Sequence, residues 1–228
     1  MRLLILLVLL ATAGRAETFP VIHHKRAWWD GAGRLTIDAG GVRWEAREKR
    51  KFDRVWKWTD IQHIDRLSET EIALLTYEDE SRYLGRDRSY RFRLVDGKIT
   101  GELMRRIAGW FGRPLTDRVV DGAPETGYTL PVKHLHSFGG CEGTLRFAEG
   151  SIGYVTPHAK DAREWRLDRD VDSAWSANPY HFELHVYDNN RREFTRTRVY
   201  RFDLKERLDP EIYDRLKQRL YRATGPRR

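Results

Sequence analysis

A third of the 228 residues are charged, yet eight Trp, ten Tyr and nine Phe supply core material, which excludes a disordered composition. The 42 Lys and Arg against 34 Asp and Glu give a formal charge of +8, which favours anionic partners without naming one. Cys141 is the only cysteine, so no intramolecular disulfide is available and the core alone must hold the fold.

In chain order, Met1 to Ala16 reads as a secretory signal. Arg2 is the positive n-region, Leu3 to Leu10 with Ala11 to Ala13 are the apolar h-region, and small residues offer cleavage after Ala13 or Ala16. The apolar stretch is about 11 residues, short of the roughly 20 a membrane-spanning helix needs. No other segment is apolar enough to cross. The expectation is export, to a periplasmic or extracellular location. Without Arg2 and Arg15 the mature chain has 40 basic residues against 34 acidic ones, near +6.

The next two hundred residues carry one pattern twice. Gly33 to Trp44 alternates apolar residues on either side of a Gly-containing turn, and so does Gly143 to Tyr154. Leu35, Ile37, Val42 and Trp44 meet Leu145, Phe147, Ile152 and Tyr154 at an offset of 110, the mark of a hairpin with one buried face. The same offset relates Ile72–Tyr77 to Phe182–Tyr187 and Tyr90–Leu94 to Tyr200–Leu204. Trp58 pairs with Trp165 at 107, which places insertions in the flanking loops. Thr18 to Asp30 and Thr129 to Gly140, each with Pro-Val followed by histidines, read as a common lead strand.

Each copy ends in an amphipathic helix. Leu103, Ile107 and Phe111, with Trp110 beside them, form the first stripe; Ile212, Leu216 and Leu220 form the second. Asp209 is an N-cap, Pro210 fits the first helical position, and Leu208 staples toward Tyr213. Between the copies, Pro114, Gly122, Pro124 and Gly127 mark a turn-forming linker. The division is residues 1–16 signal, 17–113 first domain, 114–130 linker, 131–222 second domain and 223–228 flexible tail.

A Gly-turn hairpin, Trp58-Thr-Asp60-Ile61, an aliphatic strand ending in Tyr77, a Tyr-x-Phe-x-Leu strand and a closing helix arrive in that order. The order resembles the pleckstrin-homology-like fold, in particular bacterial PH-like and GRAM-like domains. In the second copy Trp165-Arg-Leu-Asp168 stands for the Trp–Asp element. The resemblance implies a mainly β fold with α: two consecutive bent β-sandwich or barrel domains, each closed by a C-terminal amphipathic helix. It also implies binding of lipid headgroups, peptides or proteins rather than catalysis. The family's phosphoinositide site needs cations in the first hairpin loop; Asp38–Gly41 and Ala148–Ser151 lack them, so that ligand is not carried over.

Among candidate contact residues, Arg82, Arg86, Arg88 and Arg91 recur at the 110 offset as Arg192, Arg196, Arg198 and Arg201. Guanidinium groups on one strand face suit carboxylate or phosphate recognition. The basic run Arg47–Lys51 suits a solvated loop or an anionic surface. His134 and His136 place two imidazoles on one strand face, with His23 and His24 in the counterpart segment. Zinc catalysis needs three ligands and an acid or base, and neither a His-Glu-x-x-His nor a cysteine cluster is present. Serine and thiol nucleophile signatures are absent, and Cys141 reads as a small packed residue. Aromatics fall on core faces rather than on a base-stacking surface, against nucleic acid. The expectation is an exported, non-enzymatic protein without a cofactor, recognising a protein partner or an anionic membrane surface. The alternatives are a metal-dependent hydrolase using the histidine cluster and a structural module of an envelope assembly.

Overall fold

The computed structural model describes residues 16–24, 31–48, 50–80, 86–121, 127–187 and 197–224. The signal segment up to residue 15 lies outside them, as do Arg82, Arg192 and Arg196. Among the described residues no helix is long and apolar enough to cross a membrane.

The first set of strands is β1 (Glu17–His24), β2 (Gly31–Asp38), β3 (Gly41–Ala46), β4 (Arg54–Lys57), β5 (Ile61–Ser68), β6 (Glu71–Asp79) and β7 (Asp87–Leu94), followed by helix α1 (Gly101–Phe111). Thr100 caps α1 by accepting from the Leu103 N–H, and Gly112 ends it in the left-handed region. The second set is β9 (Tyr128–Leu135), β10 (Gly140–Phe147), β11 (Ser151–Val155), β12 (Arg163–Arg166), β13 (Val171–Asn178), β14 (His181–Val186) and β15 (Arg198–Leu204), followed by α2 (Pro210–Thr224). Asp209 accepts from the Glu211 N–H ahead of α2, as its N-cap position requires. The architecture is mainly β, and the lead strand expected ahead of each hairpin is present as β1 and β9.

Hydrogen-bond order repeats with the sequence. The first set runs β4-β3-β2-β1-β7-β6-β5, and the second runs β12-β11-β10-β9-β15-β14-β13. In each, a four-strand and a three-strand antiparallel meander meet where the first strand pairs with the last (β1 with β7, β9 with β15). Period-2 alternation puts the apolar side chains of both meanders inside, where they form two separate hydrophobic clusters.

At the centre of each cluster lies the same aromatic arrangement. His23, Trp44, Trp56, Tyr90 and Phe92 occupy the first; His134, Tyr154, Trp165, Tyr200 and Phe202 occupy the second. Ring separations match: 4.6 Å for Trp56–Tyr90 and 4.8 Å for Trp165–Tyr200, 5.0 Å for His23–Phe92 and 5.1 Å for His134–Phe202. Strand register corrects the expected Trp58–Trp165 equivalence. Val42 pairs with Trp56 as Ile152 pairs with Trp165, so Trp56 is the counterpart, at an offset of 109. Trp58 instead sits in a 3-10 turn and stacks on Trp110 at 6.1 Å. The conserved geometry behind the Trp–Asp element is a carboxylate accepting a backbone N–H. Asp60 accepts from Lys57 at 2.9 Å, and Asp170, rather than Asp168, accepts from Arg166 at 3.0 Å.

The segment expected as a linker is partly built into the sheet. β8 (Thr116–Asp117) pairs parallel with β5 and antiparallel with β12, making one continuous 15-stranded hydrogen-bond order. Leu115, Thr116 and Asp117 are all buried: Leu115 joins the first hydrophobic cluster, Thr116 bonds His63 Nε2 at 2.9 Å, and Asp117 takes the fully buried Arg66 from β5. The guanidinium donates to Asp117 at 2.7 and 2.8 Å, to Asp121 at 2.6 Å, and to the carbonyls of Ile99 and Val119 at 2.9 and 3.1 Å.

Burial pushes the Asp117 carboxyl up to about 6, with Glu164 adding to it, against the hydrogen bonds and charge of Arg66. Its ordinary value is 3.8, so the folded state binds this proton more tightly than the unfolded chain does. Stability from this group therefore increases as pH falls through about 6 and is lost as pH rises. Urea unfolding at pH 7 and pH 5 is expected to show the wild type gaining about 1 kcal/mol relative to Asp117→Asn over that interval.

Candidate functional site

The recurring arginines do not form one face. On β7, Tyr90 and Phe92 point inward, so Arg91 points outward, where it pairs with Glu71 at 2.5 Å. Arg88 shares the inward parity at the strand's start and joins a network around Glu78. That carboxylate accepts from Trp56 Nε1 at 2.6 Å, Tyr90 OH at 2.7 Å and Arg88 at 3.4 Å. Arg201 points outward to Glu183 at 3.0 Å, while Arg198 lies over the Tyr200 ring at 4.7 Å. Arg86 is exposed at the foot of β7. The pairs two apart thus reduce, among described residues, to Arg86 with Arg88.

The second unit brings together a different group at the β9–β10 end. The Gly139 turn, closed by the His136 N–H donating to the Gly139 carbonyl at 3.0 Å, folds β10 back so that Cys141 lies directly across from His134. His134 and His136 are two apart, and their rings lie 4.4 Å from each other. Cys141 Sγ is 3.1 Å from His136 Nε2, 4.0 Å from His134 Nδ1 and 3.9 Å from Asp161 Oδ2. The nitrogen and sulfur atoms of the three residues all lie within 4.8 Å of one another. Tyr154 donates its hydroxyl to the Cys141 carbonyl at 2.9 Å and stands 3.1 Å from Sγ.

Burial, with the nearby His136, lowers His134 to about 4, so at neutral pH it is an uncharged imidazole able to donate a lone pair. The same burial, with the hydrogen bond to Cys141, pushes Tyr154 up and keeps its hydroxyl protonated. Arg163, whose charge also acts to lower His134, is buried and donates to the carbonyls of Lys160 and Ala162 at 2.6 and 2.7 Å. His136 is exposed and Asp161 half-buried, so the group opens to solvent beside Phe138, which is 98% exposed at the hairpin tip.

Sequence reading placed His134 and His136 on one face and missed Cys141, Tyr154 and Asp161. The signal for Cys141 was the Gly139-Gly140 turn, which makes a hairpin of the segment and sets Cys141 opposite His134. The structure does not bring His23 to this group; His23 packs on Trp44, Tyr90 and Phe92 in the other core.

No family model matches the chain, and no curated protein matches it. Among solved structures it is similar to inner membrane complex sub-compartment protein 3 from Toxoplasma gondii. That match has 17% identity and a TM-score of 0.32, over 45% of this chain and 81% of that chain. It is also similar to the Spt16D–Pob3N heterodimer, at 12% identity and a TM-score of 0.31, over 76% of this chain and 84% of that chain. At these scores the likeness carries no argument about what the chain binds.

Proposed function

We propose that this chain is an exported, non-enzymatic binding protein of two pleckstrin-homology-like units, with its recognition site at the β9–β10 end of the second unit. Seven antiparallel strands in two meanders, joined first strand to last and followed by a helix, support the PH-like reading of each unit.

One observation supports the location of the site: within a shared frame, the two units differ there in chemistry. His23 corresponds to His134 by its pairing with Phe92 as His134 pairs with Phe202. Gly31 stands where Cys141 is, since each pairs with that histidine. Arg54 donates to the carbonyls of Lys51 and Asp53 as Arg163 does to those of Lys160 and Ala162, so Phe52 stands where Asp161 is. Two residues past His23 the sequence has Lys25 where the second unit has His136. Core residues were kept and polar donors accumulated at one end, the pattern of a site grafted on a fold.

A photo-reactive residue placed at Phe138, beside this end, is expected to give a discrete cross-linked species in the cell envelope. The same probe at Glu149, in the exposed loop at the other end of β10, is expected to give none. Equal patterns from both positions, or adducts from neither, would overturn the location.

A further inference from the structure

We propose that His134, His136, Cys141 and Asp161 form a four-ligand site for a zinc-class transition-metal ion. This rests on the reading of the β9–β10 end as the recognition site and names its ligand.

The donor set is one thiol, two imidazoles and one carboxylate. Sulfur with imidazole selects borderline ions such as zinc, whereas magnesium and calcium take oxygen ligands. The spacing agrees. A tetrahedral zinc with a sulfur at about 2.3 Å and a nitrogen or oxygen at about 2.0–2.1 Å separates those two donors by about 3.6 Å. The distances from Cys141 Sγ to His136, Asp161 and His134 are 3.1, 3.9 and 4.0 Å, which bracket that value. Closure needs the side chains to draw in from a set whose His and Cys donor atoms lie within 4.8 Å of one another, with Cys141 already across from His134 in the strand pairing.

The surroundings suit a ligand set more than a packed core. Cys141 and His134 are buried, and the Cys141 Sγ faces His134 Nδ1, His136 Nε2 and Asp161 Oδ2 at distances long or weak for hydrogen bonds through sulfur. The Tyr154 hydroxyl is placed beside the sulfur, as outer-sphere partners of a metal thiolate are. The first unit offers a built-in comparison: Gly31, Phe52 and Lys25 replace three of the four donors while the aromatic core is kept. Four protein ligands fill a tetrahedral shell and leave no position for a reactive water, so the site is a holding site and not a hydrolytic one.

Purified mature chain, exposed to zinc and then dialysed, is expected to retain one zinc per chain by elemental analysis. Cobalt in place of zinc is expected to give the thiolate charge-transfer absorption of a Cys-ligated ion. Cys141→Ser is expected to abolish that absorption and, with His136→Ala, to weaken zinc at least 100-fold in competition with a chromophoric chelator. Asp161→Asn should weaken it about 10-fold or more. The combined variant His136→Lys, Cys141→Gly and Asp161→Phe uses residues the first unit already carries, so it is expected to fold, by circular dichroism, without zinc. Absence of stoichiometric zinc in the wild type, or equal retention by folded Cys141→Ser, would overturn the proposal. The two readings part cleanly. A Phe138 cross-link that persists in a protein holding no zinc keeps the recognition site and removes the metal. Zinc bound with no cross-link keeps the metal and removes the recognition site.

Discussion

Arg66→Met is expected to lower stability by about 3–5 kcal/mol, the loss typical when one partner of a buried ion pair is removed and the other stays. The guanidinium makes five hydrogen bonds from a fully buried position, and two of its acceptors are carboxylates. Without it, Asp117 stays buried beside Glu164 and loses both guanidinium hydrogen bonds, and the Ile99 and Val119 carbonyls lose a donor. Arg118 pairs with Asp65 on the other side of β8 and cannot substitute for it. The segment that joins β5 to β12 should loosen first. Arg66→Met combined with Asp117→Leu should recover much of the loss, because a buried pair replaced by apolar groups of similar volume is often neutral. Urea midpoints of the three proteins decide between charge and packing: an unrecovered double variant would mean that the arginine acts by filling space.

Much of the fold was legible because period-2 patterning and a constant offset are local signals. Leu35, Ile37, Val42 and Trp44 had to face one core once the Gly turn was placed, and their counterparts followed. Helix stripes at Leu103, Ile107 and Phe111 and at Leu216 and Leu220 were equally local, and all of these residues are buried. The Trp58–Trp165 match failed for a physical reason. Residue identity was matched where register decides, and Trp56 is the tryptophan whose cross-strand partner, Val42, faces the core. β8 was illegible because its two residues are held by His63 and Arg66, some fifty positions earlier, and no periodicity in a Pro- and Gly-bearing stretch records that.

The polar end of the second unit was half legible. The His134–His136 spacing states a shared face by itself. Cys141 joins them on the return strand β10 and Asp161 from the turn between β11 and β12, which is a tertiary fact. The arginines show the converse. Their recurrence is a sequence property, yet Glu71, Glu78 and Glu183 engage three of them in different directions. Recurrence in a duplicated chain thus marks the shared frame, and the proposed site rests instead on where the two copies diverge.

Gly143→Ala is expected to cost about 3 kcal/mol or more, the upper end of what forced overpacking does. A Cβ at Gly143 would lie 2.4 Å from the Val155 carbonyl oxygen and 2.6 Å from the Tyr154 ring. One is backbone of the paired strand and the other a buried core ring, so neither yields cheaply. Gly33 repeats the constraint, with its Cβ 2.1 Å from the Glu45 carbonyl oxygen and 2.6 Å from the Trp44 ring, and Gly33→Ala should cost as much. Exposed Gly109, in the last turn of α1 with nothing within 4 Å of a new Cβ, makes the control; Gly109→Ala should stabilise by about 0.5 kcal/mol. Thermal midpoints measure all three, and a loss under about 1 kcal/mol at Gly143 or Gly33 would mean that strand and ring separate freely. The two costly variants should differ in one respect. Displacing Tyr154 moves the hydroxyl that sits against Cys141, so Gly143→Ala should also perturb the Cys141 environment. Displacing Trp44 leaves the second unit untouched, so Gly33→Ala should lower stability alone.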